Sequence, residues 1–336
     1  MRNKVAAFGE VMMRLQVPNY KKLEQSRTLD YLFSGTGVNI LSAVSRYGHG
    51  TELLTKLPDN NLGDAALSYI RSLGVGTSHV LRGEEYLGIY FLENGFGVRG
   101  TSVTYTNRKD SSFCRARKEE YEYDTLLEGV TLIHFCGISL AVTPNVRETV
   151  LMLAREAKKR NITVCFDCNY RPKLWDSYEQ AKALYEEMLE LADICLMTEK
   201  DAIHILGMET AEIEREKQLE DLLPQVAATY NIHTIAGTMR ETISTTVQKL
   251  TGFIVQDGAI AYSQSHTFDV FDRIGGGDGY TSGIIHGYMM QWPKEKIAEF
   301  SIASAILAHT TYGDSPVASL REVEAFMNGA FQELER

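Results

Sequence analysis

Residues 272–283 read Asp272-Arg273-Ile274-Gly275-Gly276-Gly277-Asp278-Gly279-Tyr280-Thr281-Ser282-Gly283. Three glycines run directly into an acid, and an apolar helical run, Tyr280 to Met290, follows at once. Glycine has no Cβ, so its backbone amide can approach a ligand closely. A helix N-terminus adds unpaired amides and a partial positive charge. A glycine turn that opens a helix therefore makes a hole for an anion, phosphate above all. Asp278 stands at the mouth of that hole, where it could accept a proton from an attacking hydroxyl. An anion hole beside a carboxylate base is what phosphoryl transfer to an alcohol requires. A plain loop ending in an aspartate N-cap would explain the same letters. Against it, Gly279, Gly283 and Gly287 recur every four residues along one helix face. Each is about 1 kcal/mol worse than Ala in a helix, which predicts an unusually close packing partner.

Working back from this loop, residues beyond about 125 alternate between strand and helix patterns. Strands are expected at Leu132–Cys136, Ile162–Phe166, Ile194–Met197 and Thr234–Ala236. Helices are expected at Pro144–Lys159, Tyr178–Leu191, Glu199–Leu206 and Glu214–Tyr230. Such alternation implies a mostly parallel sheet with helices on both faces, an α/β/α arrangement. Strand-like Thr242–Lys249, Phe253–Val255 and Ile260–Ser263 read as antiparallel additions at the sheet edge. Three helices, 278–290, 294–310 and 319–335, close the chain. In the first hundred residues, Val5–Gly9 is a strand; Gly37–Tyr47 and Asn61–Leu73 are helices. Leu87–Leu92 and Ser102–Asn107 are rich in β-formers, and Leu15–Phe33 lacks helical spacing. A small β-sheet lid, drawn from segments within about 12–33 and 86–113, is expected on a single domain spanning 1–336. In an open parallel sheet ligands bind beyond the carboxyl ends of the strands. The loops after Phe166, Met197 and Ala236 therefore matter most, together with the glycine turn.

The chain has 336 residues, 44% of them hydrophobic, and a net charge of −10. No cationic run exceeds Lys158-Lys159-Arg160, which argues against nucleic acid as a partner. No stretch of 18 apolar residues suggests a membrane span, and the short apolar N-terminus does not suit a signal peptide. Five cysteines do not suggest a disulfide framework, and the cytoplasm is the default compartment. Cys165-Phe166-Asp167-Cys168 has C-x-x-C spacing, but strand alternation sends the two thiols to opposite faces. Gly95-Phe96-Gly97-Val98-Arg99-Gly100 fits G-x-G-x-x-G, but a strand pattern rather than a helix follows it, so it reads as a hairpin turn.

Two further segments stand where a ligand would bind. In Asp167-Cys168-Asn169-Tyr170-Arg171 an acid, an amide and a guanidinium alternate after a buried strand. Arg171 suits a substrate carboxylate or phosphate; an internal Arg171–Asp167 ion pair fits the spacing equally well. Ser34-Gly35-Thr36-Gly37-Val38-Asn39 opens a helix, and Asn39 offers a donor and an acceptor to a polyol.

Taken together, these motifs resemble the ribokinase-like (PfkB) sugar kinases along essentially the whole chain. Asp272–Tyr280 is similar to that family's D-T-x-G-A-G-D-x-F, and Ser34–Asn39 to its G-G-x-x-x-N. The likeness is greatest to the 2-keto-3-deoxygluconate kinase branch. It rests on Gly9-Glu10-Val11-Met12-Met13-Arg14-Leu15, Tyr90-Phe91-Leu92-Glu93 and Asp167–Trp175. The resemblance implies a ribokinase-like three-layer fold and ATP-dependent phosphorylation of a sugar-acid hydroxyl, with Mg²⁺. It implies Asp278 as the base and the amides of Gly275, Gly276 and Gly277 as the hold on the transferring phosphate. Gly35, Asn39, Tyr90, Tyr105, Arg108, Asp167, Asn169 and Arg171 would contact the substrate. Thr198, Gly237, Thr238, Arg240, Gly275, Gly277 and Gly313 would lie near ATP, with Thr198 and Asp201 reaching the metal through water. The lid would pair with a second subunit. Arg14 stands where many members carry an acid, which points to an acidic substrate; Thr198 and Asp201 depart from the usual N-x-x-E, and Arg273 from a common Thr.

Overall fold

The βα alternation becomes a ten-stranded sheet flanked by helices, and a separate four-stranded sheet sits over its ligand edge. The computed structural model describes residues 4–329. Its strands in chain order are β1 (Lys4–Phe8), β2 (Met12–Gln16), β3 (Asp30–Ser34), β4 (Gly50–Leu57), β5 (Val80–Arg82), β6 (Gly88–Glu93), β7 (Ser102–Thr106), β8 (Val130–Cys136), β9 (Thr163–Asp167), β10 (Ile194–Leu196), β11 (Thr234–Thr242), β12 (Val247–Gln256), β13 (Ala259–Tyr262) and β14 (His266–Asp269). The helices are α1 (Thr36–Arg46), α2 (Asn61–Ser72), α3 (Ser112–Arg115), α4 (Tyr123–Leu126), α5 (Gly137–Val142), α6 (Pro144–Lys159), α7 (Tyr178–Leu191), α8 (Glu199–His204), α9 (Arg215–Tyr230), α10 (Gly276–Met289), α11 (Lys294–His309) and α12 (Leu320–Met327). The expected 319–335 helix is shorter: α12 ends at Met327 with its cap at Asn328, while residues 1–3 and those beyond 329 lie outside the described residues.

The large sheet runs β13-β12-β11-β10-β9-β8-β1-β4-β5, with β14 also on β12. It is parallel from β11 to β5; β12, β13 and β14 are antiparallel. One face buries Leu140, Val150, Tyr185 and Leu222 from α5, α6, α7 and α9 against Ile133, Phe135 and Phe166. The other buries Val38, Ile70, Ile284 and Ile302 from α1, α2, α10 and α11 against Val5, Leu132 and Cys165. Cys165 and Cys168 thus belong to opposite faces, and Cys168 Sγ lies 3.7 Å from Cys195 Sγ instead. The chain leaves β1 toward β4 on one side and β8 on the other, so the sheet has a switch point there, where such sheets bind ligands.

The spacing of Gly279, Gly283 and Gly287 meets its expected partner in α11. A Cβ on Gly283 would stand 2.4 Å from Ser301 Cα, so the two helices touch backbone to backbone. The lid sheet runs β3-β2-β6-β7, within the expected segments, and Phe96-Arg99 closes the turn between β6 and β7.

One strand went unread in the sequence, and one sequence expectation needs correction. Gly50–Leu57 carries no clear hydrophobic run, yet it is a strand of the large sheet. Its Glu52 and Lys56 are buried because His79 N donates to Glu52 Oε1 (3.1 Å) and Lys56 Nζ to Glu120 Oε2 (2.5 Å). Thr242–Lys249 is not one strand; it spans the hairpin between β11 and β12. Its threonines imitate a strand, but Ser244 Oγ accepts from the amides of Thr246 (3.2 Å) and Val247 (2.9 Å), which folds a turn.

Candidate active site

A cavity of about 470 Å³ opens between the ends of β1, β8 and β9, the start of α10 and the lid. Gly275 is the N-cap of α10 with φ +89°, and a Cβ there would stand 1.9 Å from the carbonyl oxygen of Asp314. Only glycine fits this turn. The helix begins at Gly276, two residues before the sequence expectation. The amides of Gly276, Gly277 and Asp278 therefore lie in its first turn and donate to no group among the described residues.

Asp278 is half-buried on the cavity floor, and its Oδ2 accepts from Asn39 Nδ2 at 2.7 Å. Asn39 is itself fixed, because Ser315 Oγ donates to its Oδ1 at 3.0 Å. Burial pushes the Asp278 carboxyl up to about 8; the negative charges of Asp167 and Asp314 add to the rise, and the Asn39 bond opposes it. Asp167, at the end of β9, is pushed up to about 7, first by burial and then by the charge of Asp201; Arg171 opposes both. Raised carboxyls of this kind are common where a base must work near neutral pH.

Arg171 is exposed on the cavity wall, and its Nη1 donates only to Tyr170 O, at 3.1 Å. The Arg171–Asp167 ion pair does not form. Asn169 lines the same wall, with Asp167 Oδ1 accepting from its amide at 3.1 Å. On the lid side, Arg108 Nε donates to Glu10 Oε2 (2.7 Å) and its guanidinium lies 5.4 Å from the Tyr105 ring. Tyr105 and Tyr90 stack obliquely, 5.8 Å between centroids, and both line the cavity with Gly35. The Tyr90 hydroxyl donates to Asp314 and lies 3.0 Å from Ser34 Oγ.

Arg14 departs from its expected role. It is wholly buried and bonded to Asp314, Asp272 (2.5 Å) and Gln16. It does not line the cavity. Its charge is consumed by the two carboxylates, which outlasts any pull on a substrate, so it ties lid strand β2 to the loops around 272 and 314.

Gly276, Asp167, Thr198, Asp201, Gly237, Thr238, Arg240 and Gly313 do not line the cavity. Thr198 and Asp201 cap α8: Asp201 Oδ2 accepts from Thr198 N (2.7 Å) and Oγ1 (3.1 Å), while Oδ1 stays uncommitted. Gly237, Thr238 and Arg240 follow one another along β11. Gly313, at φ +93°, donates its amide to Asp272 Oδ2 at 3.3 Å. Sequence reading quoted Glu10 and Ser34 in motifs without giving them contacts, and it placed the segment near Gly313-Asp314 close to the nucleotide without a contact for Asp314 or Ser315. The signal for the last two was Gly313-Asp314-Ser315-Pro316, a turn cluster directly after a helix.

The floor thus offers a carboxylate base beside unpaired helix amides, in a cleft whose walls carry cations. Residues 2–319 match the family described as pfkB family carbohydrate kinase. The chain belongs to that family and is a carbohydrate kinase. It is 32% identical to the 2-dehydro-3-deoxygluconokinase of Thermotoga maritima, whose structure superposes with a TM-score of 0.94 and covers 97% of this chain and 100% of that one. A protein of Enterococcus faecalis, described provisionally as a 2-keto-3-deoxygluconate kinase, is 36% identical with a TM-score of 0.94 over 99% of each chain. The 2-dehydro-3-deoxygalactonokinase of Haloferax volcanii is 28% identical over the full length of both. Among the described residues no helix is long and apolar enough to cross a membrane.

Proposed function

We propose that this kinase transfers the γ-phosphoryl group of ATP to the terminal C6 hydroxyl of 2-keto-3-deoxygluconate. The products are 2-keto-3-deoxy-6-phosphogluconate and ADP, and the role is in sugar-acid catabolism. The observation that carries the reading is Asp278: it sits at the start of α10, held by Asn39, directly beside three unpaired amides. The substrate hydroxyl gives its proton to Asp278 as its oxygen bonds to phosphorus. The bond to the leaving diphosphate breaks, and its electron pair departs on ADP. The glycine amides hold the oxygens of the transferring group. Arg171, with no carboxylate of its own, takes the substrate carboxylate, while Arg108, Tyr90 and Tyr105 close the lid side. Water excluded by the lid cannot compete for the phosphoryl group.

Mg²⁺ would enter with the ATP phosphates and neutralise their charge. Among the described residues no three His, Cys, Asp or Glu side chains form a metal cluster. Mg²⁺ keeps several waters in such sites, and Asp201 Oδ1 and Thr198 would be its contacts through water. Gly237, Thr238, Arg240 and Gly313 would surround the nucleotide. Leu15, Tyr31 and Phe91 are in register on the lid face turned away from the cavity, with Tyr31 exposed, which supports pairing with a second copy; the cytoplasm is the compartment this reaction suits.

The test is ADP release with MgATP across 2-keto-3-deoxygluconate, its C4 epimer, fructose, ribose and gluconate. Turnover should be at least tenfold higher on a keto-deoxy acid than on neutral sugars. Preference for fructose would remove the sugar-acid assignment. Preference for the C4 epimer would move the substrate to the one in the Haloferax volcanii relative's name.

A further inference from the structure

Arg273, directly before the glycine turn, lines the cavity, is exposed, and has no hydrogen bond, ion pair or ring contact among the described residues. Its neighbour Asp272 cannot neutralise it. That carboxylate points inward and is shared between Arg14 Nη2 and the amides of Ile274 and Gly313. Arg240 on β11 is half-buried, also has no carboxylate, and its Nη2 reaches only His309 Nε2, at 3.5 Å. His309 Nδ1 must donate to Ala305 O (2.7 Å), because a carbonyl can only accept. Nε2 is therefore an acceptor. His309 is held neutral, pulled down to about 4 by burial, so it brings no negative charge.

Both arginines gather about His309, since the amides of Phe271 and Asp272, directly before Arg273, donate to the His309 carbonyl at 2.8 and 3.2 Å. Arg240 is lowered to about 10, by burial and then by the charge of Arg273. Both flank the anion hole, since the His309 ring beneath Arg240 fills the space where a Cβ on Gly276 would lie, 1.8 Å from Cε1. Arg171 follows β9, two strands along the sheet from the β11 that carries Arg240. A partly buried cation without an anion is costly unless a ligand supplies one. In a chain with ten more acids than bases, a half-buried Arg240 and an exposed Arg273, both without a carboxylate and next to unpaired amides, mark the place of a polyanion.

We propose that Arg273 and Arg240 clamp the donor polyphosphate. Arg240 holds the β-phosphate, and Arg273 contacts the γ-phosphoryl group and stays on it as it passes to the acceptor hydroxyl. Arg171 takes the acceptor's carboxylate on the opposite side. The inference rests on the kinase reading but not on which sugar is the acceptor.

Binding of MgADP, inorganic tripolyphosphate and adenosine to the whole protein, followed by calorimetry, tests the clamp without turnover. Arg240→Ala should weaken MgADP and tripolyphosphate roughly tenfold, as expected for one charge-assisted hydrogen bond. Arg273→Ala should weaken tripolyphosphate more than MgADP. Adenosine should bind both variants as it binds the parent. With an accepted sugar, Arg273→Ala should lower kcat roughly 100-fold with the sugar KM unchanged, and Arg273→Lys should recover part of it. Arg240→Lys serves as a second variant should the half-buried Arg240→Ala fold poorly. Unchanged tripolyphosphate affinity in Arg273→Ala, or a raised sugar KM with nucleotide binding intact, would overturn the clamp. A panel in which no sugar acid is phosphorylated would sink the substrate assignment and leave these binding results standing.

Discussion

Charge is matched beneath the lid and mismatched across the cleft. At the joint, Arg14 meets Asp272 and Asp314, all three nearly inaccessible to water. In and behind the cleft wall, Asp278 and Asp167 have no cation bonded to them, and Arg171, Arg240 and Arg273 stand without carboxylates. The joint is complete as folded. The cleft is a set of unanswered charges whose partners arrive from outside. Residue type does not separate the two, since each is built of arginines and aspartates; the presence or absence of an internal partner does.

The sharpest test of the contrast is at Asp278. Asp278→Asn should lower kcat by about 10³-fold, within the range of a lost general base, with little change in ligand affinity. Full activity would remove the proton-acceptor role. Next in size, Arg14→Ala should cost about 3–5 kcal/mol of stability, because it strands two buried carboxylates. Burial already raises Asp272, and the Arg14 charge opposes the rise. Without Arg14, Asp272 should hold its proton to higher pH, so the loss should shrink as pH falls and grow as pH rises. Denaturant unfolding at pH 5 and pH 8 reads this, and an equal loss at both would break the account of the joint.

Arg171→Ala should leave the fold intact and raise KM for a sugar acid roughly tenfold or more, the scale of a charge-assisted bond, with little effect on a neutral sugar. A stability loss at Arg171 comparable to that at Arg14 would erase the distinction between joint and cleft.

The smallest effect concerns pH. Unfolded Asp titrates near 4, while folded Asp278 titrates at about 8. Between those values the unfolded chain has released a proton that the folded chain retains. Stability therefore falls as pH rises through this window. The wild type should lose Tm relative to Asp278→Asn from pH 5 to 9, and kcat/KM should climb over the same range toward a plateau above about 8. Parallel Tm curves for the two proteins would place the Asp278 carboxyl in the ordinary range.

The floor of the cleft was legible because its parts are local. Gly275–Asp278 and Gly35–Asn39 are short runs at helix starts, and Asp167–Arg171 follows a strand whose hydrophobicity announces burial. The joint was not legible. Arg14 lies 258 residues from Asp272 and 300 from Asp314, and no spacing rule joins positions so distant; an arginine near a sugar site simply suggests an acidic sugar. The strand Gly50–Leu57 escaped for a related reason. Its Glu52 and Lys56 are satisfied by His79 and Glu120, which are remote in sequence. Local patterns report what a segment can do alone, and long-range pairs decide when a charged residue is allowed inside.

The Arg14 joint also bears on how this enzyme could be recombined. A lid transplanted from a kinase with an acid at the corresponding position would set three carboxylates together under the glycine turn. A loop transplanted without its lid would leave the guanidinium with no acceptor. Positions 14, 272 and 314 therefore form one inheritance unit, scattered across nearly the whole gene, and shuffled libraries should be cut so that all three travel together.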